Sequence, residues 1–187
     1  MKKICALIAV FQFFFICLLA QGPLPPVDKS PMDMSYYPAN YPVLKIQDKI
    51  TEPLVARVVY SRPQTGGRSI FGGLVKYGEV WRMGANEATE IEFFRNVRLD
   101  GKKINKGRYT LYAIVSEASW TLIINKDTDT WGSFKYNAKK DLVRTEIPVQ
   151  KADAPLESLV MGFVKTAAGF NLIIAWDTIK TSVAFTF

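Results

Sequence analysis

The last six residues, Ser182-Val183-Ala184-Phe185-Thr186-Phe187, place a large apolar side chain at every second position. Successive side chains of a β-strand point to opposite faces, so this spacing gives one apolar face and one small or polar face. The stretch Leu54-Val55-Ala56-Arg57-Val58-Val59-Tyr60 alternates in the same way. Helical spacing is scarce from Val43 onward, and the sequence therefore predicts an all-β protein.

Turn residues separate these β-rich runs. Asp100-Gly101, Lys106-Gly107 and Ala168-Gly169 each supply a glycine where a hairpin needs positive φ. Because no helical crossovers separate the runs, we expect antiparallel pairing in a β-sandwich, with a partly closed barrel as the alternative. The predicted strands are 43–48, 54–61, 89–95, 97–100, 108–115, 119–126, 142–149, 157–165, 170–177 and 181–187.

Residues 1–20 have the pattern of a signal peptide. Two lysines precede an apolar run that ends at Ala20, and the following Gln21-Gly22-Pro23 favours cleavage after this small residue. The run is long enough that an uncleaved membrane anchor is the alternative. After cleavage we expect no stable membrane span and an exported protein, in the periplasm or cell envelope or outside the cell. Both cysteines lie in this leader.

Residues 21–42 hold six of the ten prolines, and the sequence predicts an extended arm or linker there. Proline lacks a backbone donor, so this composition excludes a helix or a central strand. Tyr36, Tyr37 and Tyr41 are expected to lay the arm along the domain surface. Residues 43–187 are predicted to form a single β-sandwich domain.

The 61–89 segment departs from the strand and turn rhythm, since it holds half of the twelve glycines. Such density lets a connection fold tightly and lets its backbone approach a ligand. Guanidinium groups suit planar anions, and an indole ring can cover the face of a sugar. The candidate ligand-binding residues are Arg62, Arg68, Trp81, Arg82, Asn86 and Glu87.

Structural roles are the alternative for several of these residues. The arginines are equally suited to form ion pairs with Glu79, Glu87 or Asp177 that fix the loop. Trp120 and Trp176 lie within aliphatic strands and are predicted to be core residues, whereas Trp131 lies in a polar loop and is the better surface candidate.

Several blocks resemble a bacterial family of domains of unknown function, numbered 2911. They are SPMD at 30–33, SRP at 61–63, GRSIFGGLVKYG at 67–78, VWRMGANEAT at 80–89, DGKKINKGRYTLYAI at 100–114, WTLIIN at 120–125 and AW at 175–176. The similarity runs from about Ser30 to the C-terminus. It implies an exported protein of Bacteroidetes-type bacteria, and it implies no activity. Lys76 and Met83 depart from the family's usual pattern.

The composition excludes several kinds of catalytic site. There is no histidine, and no cysteine follows the leader, so a Ser-His-Asp triad, a Cys-His pair and a histidine zinc site are ruled out. No cofactor and no metal site are predicted. Asp127 and Asp129 alternate as in a calcium loop, but two carboxylates fall short of the roughly six to eight ligands that calcium takes. We expect an ordinary Asx-type turn there.

One catalytic hypothesis is left, and it uses carboxylates: two acidic side chains would flank a glycosidic bond. Glu90 and Glu92 share one face of a predicted strand whose other face is apolar, which favours a solvated strand surface. Glu87 is the single catalytic candidate, although its position after Arg82 favours an ion pair that fixes the loop.

The sequence thus leaves three functions open. The first is a non-catalytic protein that binds a small molecule or a glycan through the 61–89 segment. The second is a glycosidase-like hydrolase that uses Glu87, and the third is an interaction or scaffold protein. The formal charge of +7 is spread along the chain, so nucleic acid is not an expected partner. Oligomeric state is left open.

Overall fold

The computed structural model describes residues 24–187, so the predicted signal peptide and its cleavage site lie outside the described residues. Neighbouring strands pair antiparallel throughout this part of the chain. The elements are β1 (Met32–Tyr37), α1 (Tyr41–Ile46), β2 (Ala56–Ser61), β3 (Val80–Trp81), β4 (Glu90–Phe93), β5 (Val97–Leu99), β6 (Lys102–Ile104), β7 (Gly107–Val115), β8 (Ser119–Asn125), a 3₁₀ turn (Ala138–Lys140), β9 (Asp141–Pro148), β10 (Gln150–Thr166) and β11 (Gly169–Thr186).

The strands form two sheets. The first has seven strands in the order β1-β2-β4-β7-β8-β9, with β3 pairing with β7 beyond the end of β4. The second has four strands in the order β10-β11-β5-β6. The sheets of residues 24–187 do not close into a barrel, and the predicted all-β sandwich is confirmed.

The core lies between the two sheets. Phe170, Trp176, Val183 and Phe185 point inward from β11 and are almost completely buried. Phe185 meets Phe93 of the first sheet, with ring centroids 5.2 Å apart. The alternation that the sequence shows at the C-terminus therefore corresponds to one buried and one outward face. Each buried side chain of this size stabilises the fold by about 1.5–3 kcal/mol relative to exposure.

The hairpin between β5 and β6 forms where the sequence predicts it. Asp100 and Gly101 have φ values of 51° and 73°, and they connect the paired residues Leu99 and Lys102. Positive φ at both central residues gives the two-residue turn that matches the twist of paired strands.

The predicted strand at 43–48 is wrong, because residues 41–46 form the helix α1. Asn40 precedes this helix with a φ of 57°, and Pro42 lies in its first turn, where the fixed φ of proline suits a helix. Among residues 24–187, no helix is both long enough and apolar enough to cross a membrane.

Part of the predicted proline-rich arm is a strand. Residues 32–37 fall between two prolines and form β1, which pairs with β2 at the edge of the first sheet. Tyr37 is buried and stacks on Phe170, with ring centroids 4.6 Å apart. This strand was not predicted, because the proline-rich composition of 21–42 as a whole hides the proline-free window 32–37.

The second sheet has longer strands than predicted. The predicted strands 170–177 and 181–187 are one strand, β11, in which Asp177 adopts a φ of 53° and the chain continues. β10 begins at Gln150, well before the predicted 157. β3, with two residues, and β6, with two lysines among its three residues, were not predicted.

Candidate functional site

The 61–89 segment docks against the end of β2 through a pair of short hydrogen bonds. The Ser61 hydroxyl donates to the carbonyl of Ala85 and accepts from its N–H, both at 2.6 Å. Gly84 permits this approach, because a Cβ at that position would lie 2.7 Å from the Ser61 oxygen. The last part of the segment is therefore held in a fixed arrangement.

Three tryptophans form a buried aromatic cluster, and one of them, Trp81, belongs to the 61–89 segment. Trp81 of β3 stacks on Trp176, with ring centroids 6.1 Å apart, and meets Trp120 edge-on at 5.6 Å. All three tryptophans are buried, which confirms the predicted core positions of Trp120 and Trp176. Trp81 is only 6% exposed, so it cannot offer a ring face to a sugar. Trp131, in contrast, is 60% exposed, as expected for the surface candidate.

Arg82 follows Trp81 and lines a cleft of about 180 Å³. Its Nε atom is buried and has no hydrogen-bond partner among residues 24–187. Burial lowers the pKa of the Arg82 guanidinium, because loss of water disfavours its charged form. An arginine nevertheless stays protonated in proteins, so the cleft contains a cation whose hydration is only partly replaced.

Arg68 forms another part of the cleft lining. Its Nε donates to the carbonyl of Thr65 at 2.8 Å, and its Nη2 donates to the carbonyl of Gln64 at 2.6 Å. Both partners are neutral carbonyls, and the nearby Glu157 carboxylate is bonded to Thr65 and Gly66 instead. The pKa of Glu157 is lowered by these two hydrogen bonds and, more weakly, by the Arg68 charge. The cleft is lined by Ser30, Pro63, Arg68, Leu74, Val75, Trp81, Arg82, Gly84, Ala85 and Trp176. This lining contains two arginines and no acidic residue, so it is suited to an anion.

The N-terminal segment supplies a wall that the sequence analysis did not assign to the site. Ser30 lines the cleft, and the carbonyl of Pro31 accepts a hydrogen bond from the Arg62 N–H at 2.9 Å. The Asn86 amide donates to the Asp28 carboxylate at 2.9 Å. Asn86, predicted as a ligand contact, is therefore occupied by the N-terminal segment. The sequence signal that could have pointed to this wall is the block at 30–33, which is part of the family resemblance.

Arg62 lies outside this cleft. Its Nε donates to the carbonyl of Leu159 at 3.1 Å, and its Nη1 forms an ion pair with Asp33 at 3.2 Å. It lines a larger cleft beside β10. Arg62 therefore forms a structural ion pair of the kind that we expected for the arginines. Its partner is Asp33 and not the predicted Glu79, Glu87 or Asp177.

Glu87 is also separate from the arginine cleft. It is exposed, pairs through its backbone with Trp131, and lines a shallow pocket of about 150 Å³ that Glu90 and Asp129 also line. Among residues 24–187 it makes no ion pair, so the predicted pairing with an arginine is wrong. The structure brings Arg68, Trp81 and Arg82 together and places Arg62, Asn86 and Glu87 elsewhere.

Three other carboxylates that the sequence singles out, Glu90, Glu92 and Asp127, pair with basic side chains. Glu92 pairs with Arg57 at 2.5 Å, and Glu90 pairs with Arg108 at 3.4 Å. In the 127–132 loop, the Asp127 carboxylate binds Lys140. The Asp127 N–H donates to the side chain of Asn125, as in an Asx turn. Within residues 24–187, no group of three or more acidic residues is arranged to hold a metal ion.

Fold and site together define a small antiparallel β-sandwich protein with a basic cleft under a glycine-rich connection. A family model described as "Protein of unknown function (DUF2911)" matches residues 42–185, and the chain belongs to this family. The resemblance that the sequence blocks carry is thus confirmed. No curated protein and no solved structure matches the chain.

Proposed function

We propose that this protein is a non-catalytic binding protein whose ligand carries an anionic group that enters the cleft between Arg68 and Arg82. The main support for this proposal is the charge of the cleft lining, which contains two guanidinium groups and no acidic side chain. A carboxylate, sulfate or phosphate in the cleft would place an anionic acceptor beside the Arg82 guanidinium, and charge-assisted hydrogen bonds of this kind are stronger than neutral ones.

The size of the cleft limits how much of a ligand it holds. Sites that enclose a whole drug-sized ligand have volumes of about 300–1,000 Å³, and this cleft has about 180 Å³. It therefore suits a small anion or the charged end of a larger ligand, such as an acidic sugar of a glycan. The buried tryptophans support the arginines from behind instead of stacking on the ligand.

Location is part of the proposal. The signal-peptide pattern of residues 1–20 supports export, to the periplasm, the cell envelope or the outside of the cell.

The test compares two arginines that each have a buried Nε without a partner. Glucuronate, sulfate and phosphate would be titrated calorimetrically into the wild type, Arg82→Met and Arg57→Met. We expect at least one anion to bind the wild type, and Arg82→Met to weaken that binding by tenfold or more, since a hydrogen bond to a charged group contributes about 1.5–3 kcal/mol.

Arg57→Met is the matched control, because Arg57 lies on the outer face of the first sheet and already has a carboxylate partner. It should bind the anion like the wild type. Equal binding by folded Arg82→Met, or no binding of any of the three anions by the wild type, would contradict the proposal.

A further inference from the structure

A cleft with a volume of about 520 Å³ lies beside β10. It forms where β10 departs from regular pairing with β11, with register shifts between Lys151 and Leu156 and between Leu156 and Val160. An irregular strand of this kind bends away from its partner. The cleft volume falls within the range of about 300–1,000 Å³ that is typical of small-molecule sites.

The floor of this cleft is apolar. Val160, Ile173 and Ala175 line it, and they alternate along their strands with core residues such as Leu159 and Ile174. They therefore lie on the outer face of the second sheet. Leu156 and Pro155, from the irregular part of β10, add an apolar wall. This site excludes water from one side of a ligand, which favours an aliphatic group.

Four charged residues line the cleft, and two of them are already bonded. The Glu157 carboxylate accepts hydrogen bonds from the Thr65 hydroxyl and the Gly66 N–H, and Arg62 is paired with Asp33.

The other two are Lys180 and Asp153, which make no ion pair within residues 24–187. Asp153 is exposed, so water screens its charge, whereas Lys180 is half-buried beside the apolar floor. The cleft thus combines an apolar surface with a half-buried lysine that makes no ion pair among residues 24–187.

From this combination we infer that the β10 cleft is a second binding site, for an aliphatic monocarboxylate whose chain lies on Val160 and Ile173 and whose carboxylate pairs with Lys180. The site is separate from the arginine cleft and does not depend on the function proposed for it. Because the chain of the ligand replaces water on an apolar floor, affinity should rise up to about fourfold for each added CH₂ until the floor is covered.

The experiment uses hexanoate, octanoate and decanoate, titrated calorimetrically below their micelle concentrations, with decylamine as the opposite-charge probe. We expect affinity to rise from hexanoate to decanoate and decylamine to bind at least tenfold more weakly than decanoate. Lys180→Met should weaken decanoate about tenfold, and Ile173→Trp, which fills the floor, should remove binding.

Lys151→Met is the matched control, since Lys151 is an exposed lysine of β10 that does not line the cleft. It should bind decanoate like the wild type, and circular dichroism would verify that each variant is folded. Equal affinity for decanoate and decylamine, wild-type affinity in Lys180→Met, or no binding of any carboxylate to the wild type would overturn the inference.

Discussion

Arg57 and Arg82 share one unusual property and differ in another. Each has a buried Nε atom without a hydrogen-bond partner in residues 24–187. Arg57, however, forms an ion pair with Glu92 at 2.5 Å and lies 5.9 Å from the centre of the Phe94 ring. Arg82 makes no ion pair within residues 24–187. An unsatisfied Nε is therefore not in itself a sign of a ligand; the missing counter-charge is what distinguishes Arg82.

Strand register explains why Arg57 is neutralised. Arg57, Glu92 and Arg108 lie opposite one another on β2, β4 and β7, so opposite charges meet directly across the strands. Arg82 follows the two-residue strand β3, where no neighbouring strand supplies an acid in register. In a regular sheet, strand register can place an acidic side chain directly opposite an arginine. An arginine in a loop has no such register.

The largest predicted effect concerns the support beneath Arg82. Trp81→Ala should lower the free energy of unfolding by about 3–5 kcal/mol, because it leaves a cavity between Trp120 and Trp176. Urea unfolding would measure the change. Trp131→Ala is the control for an exposed tryptophan and should stay within about 0.5 kcal/mol of the wild type. Similar losses in both variants would show that Trp81 is not the packed support described above.

The two arginines should also differ in what they contribute to stability. Arg57→Met should lower the free energy of unfolding by about 0.5–1 kcal/mol, since the pair with Glu92 is partly exposed. Arg82→Met should not lower it, because the substitution removes a buried donor that lacks a partner. Urea unfolding of both variants in the absence of anions would decide. A clear loss in Arg82→Met would mean that this guanidinium stabilises the fold instead of being free for a ligand.

The smallest effect extends the comparison to Arg144, an arginine with bonded partners. Arg144 donates to Asp141 and to the Tyr136 hydroxyl, both at 2.7 Å. Burial, reinforced by Asp141, raises the pKa of Tyr136 to about 12. In the unfolded chain tyrosine loses its proton near pH 10, so the stabilisation from Tyr136 is complete below about pH 10 and is lost as the pH rises through about 12.

Tyr136→Phe removes this titration. Its urea midpoint should therefore fall less steeply than that of the wild type between pH 10 and about 12. Parallel slopes in Tyr136→Phe and the wild type would contradict the interpretation of the Tyr136 contacts.

Most of the fold could be predicted from the sequence because alternation and turn chemistry are local. The C-terminal run and the Asp100-Gly101 turn are both where their residues indicate. The helix at 41–46 could not be predicted by the same reasoning, since four apolar or long side chains in a row fit a strand equally well. The local feature that favours the helix is Pro42 in its first turn.

The site was predicted less completely. The glycine-rich segment identified Arg68, Trp81 and Arg82, which do lie together. Ser30 and Asp28 were missed, because they come from a different segment of the chain; Asp28 and Asn86, for example, are 58 residues apart. The pairing of Arg62 with Asp33 likewise follows from β1 lying next to β2, and β1 itself was not predicted. Contacts between distant segments depend on the order in which the strands pair, and the amino-acid composition does not give that order.

The close packing of Trp81, Trp120 and Trp176 also makes the protein its own optical probe. Indole rings only 5.6–6.1 Å apart have coupled electronic transitions, which give a paired positive and negative band in circular dichroism. Arg82 follows Trp81 directly, so an anion that enters the cleft changes the electric field at these rings. If the cleft binds an anion as proposed, the protein's intrinsic spectrum would report its occupancy without a label.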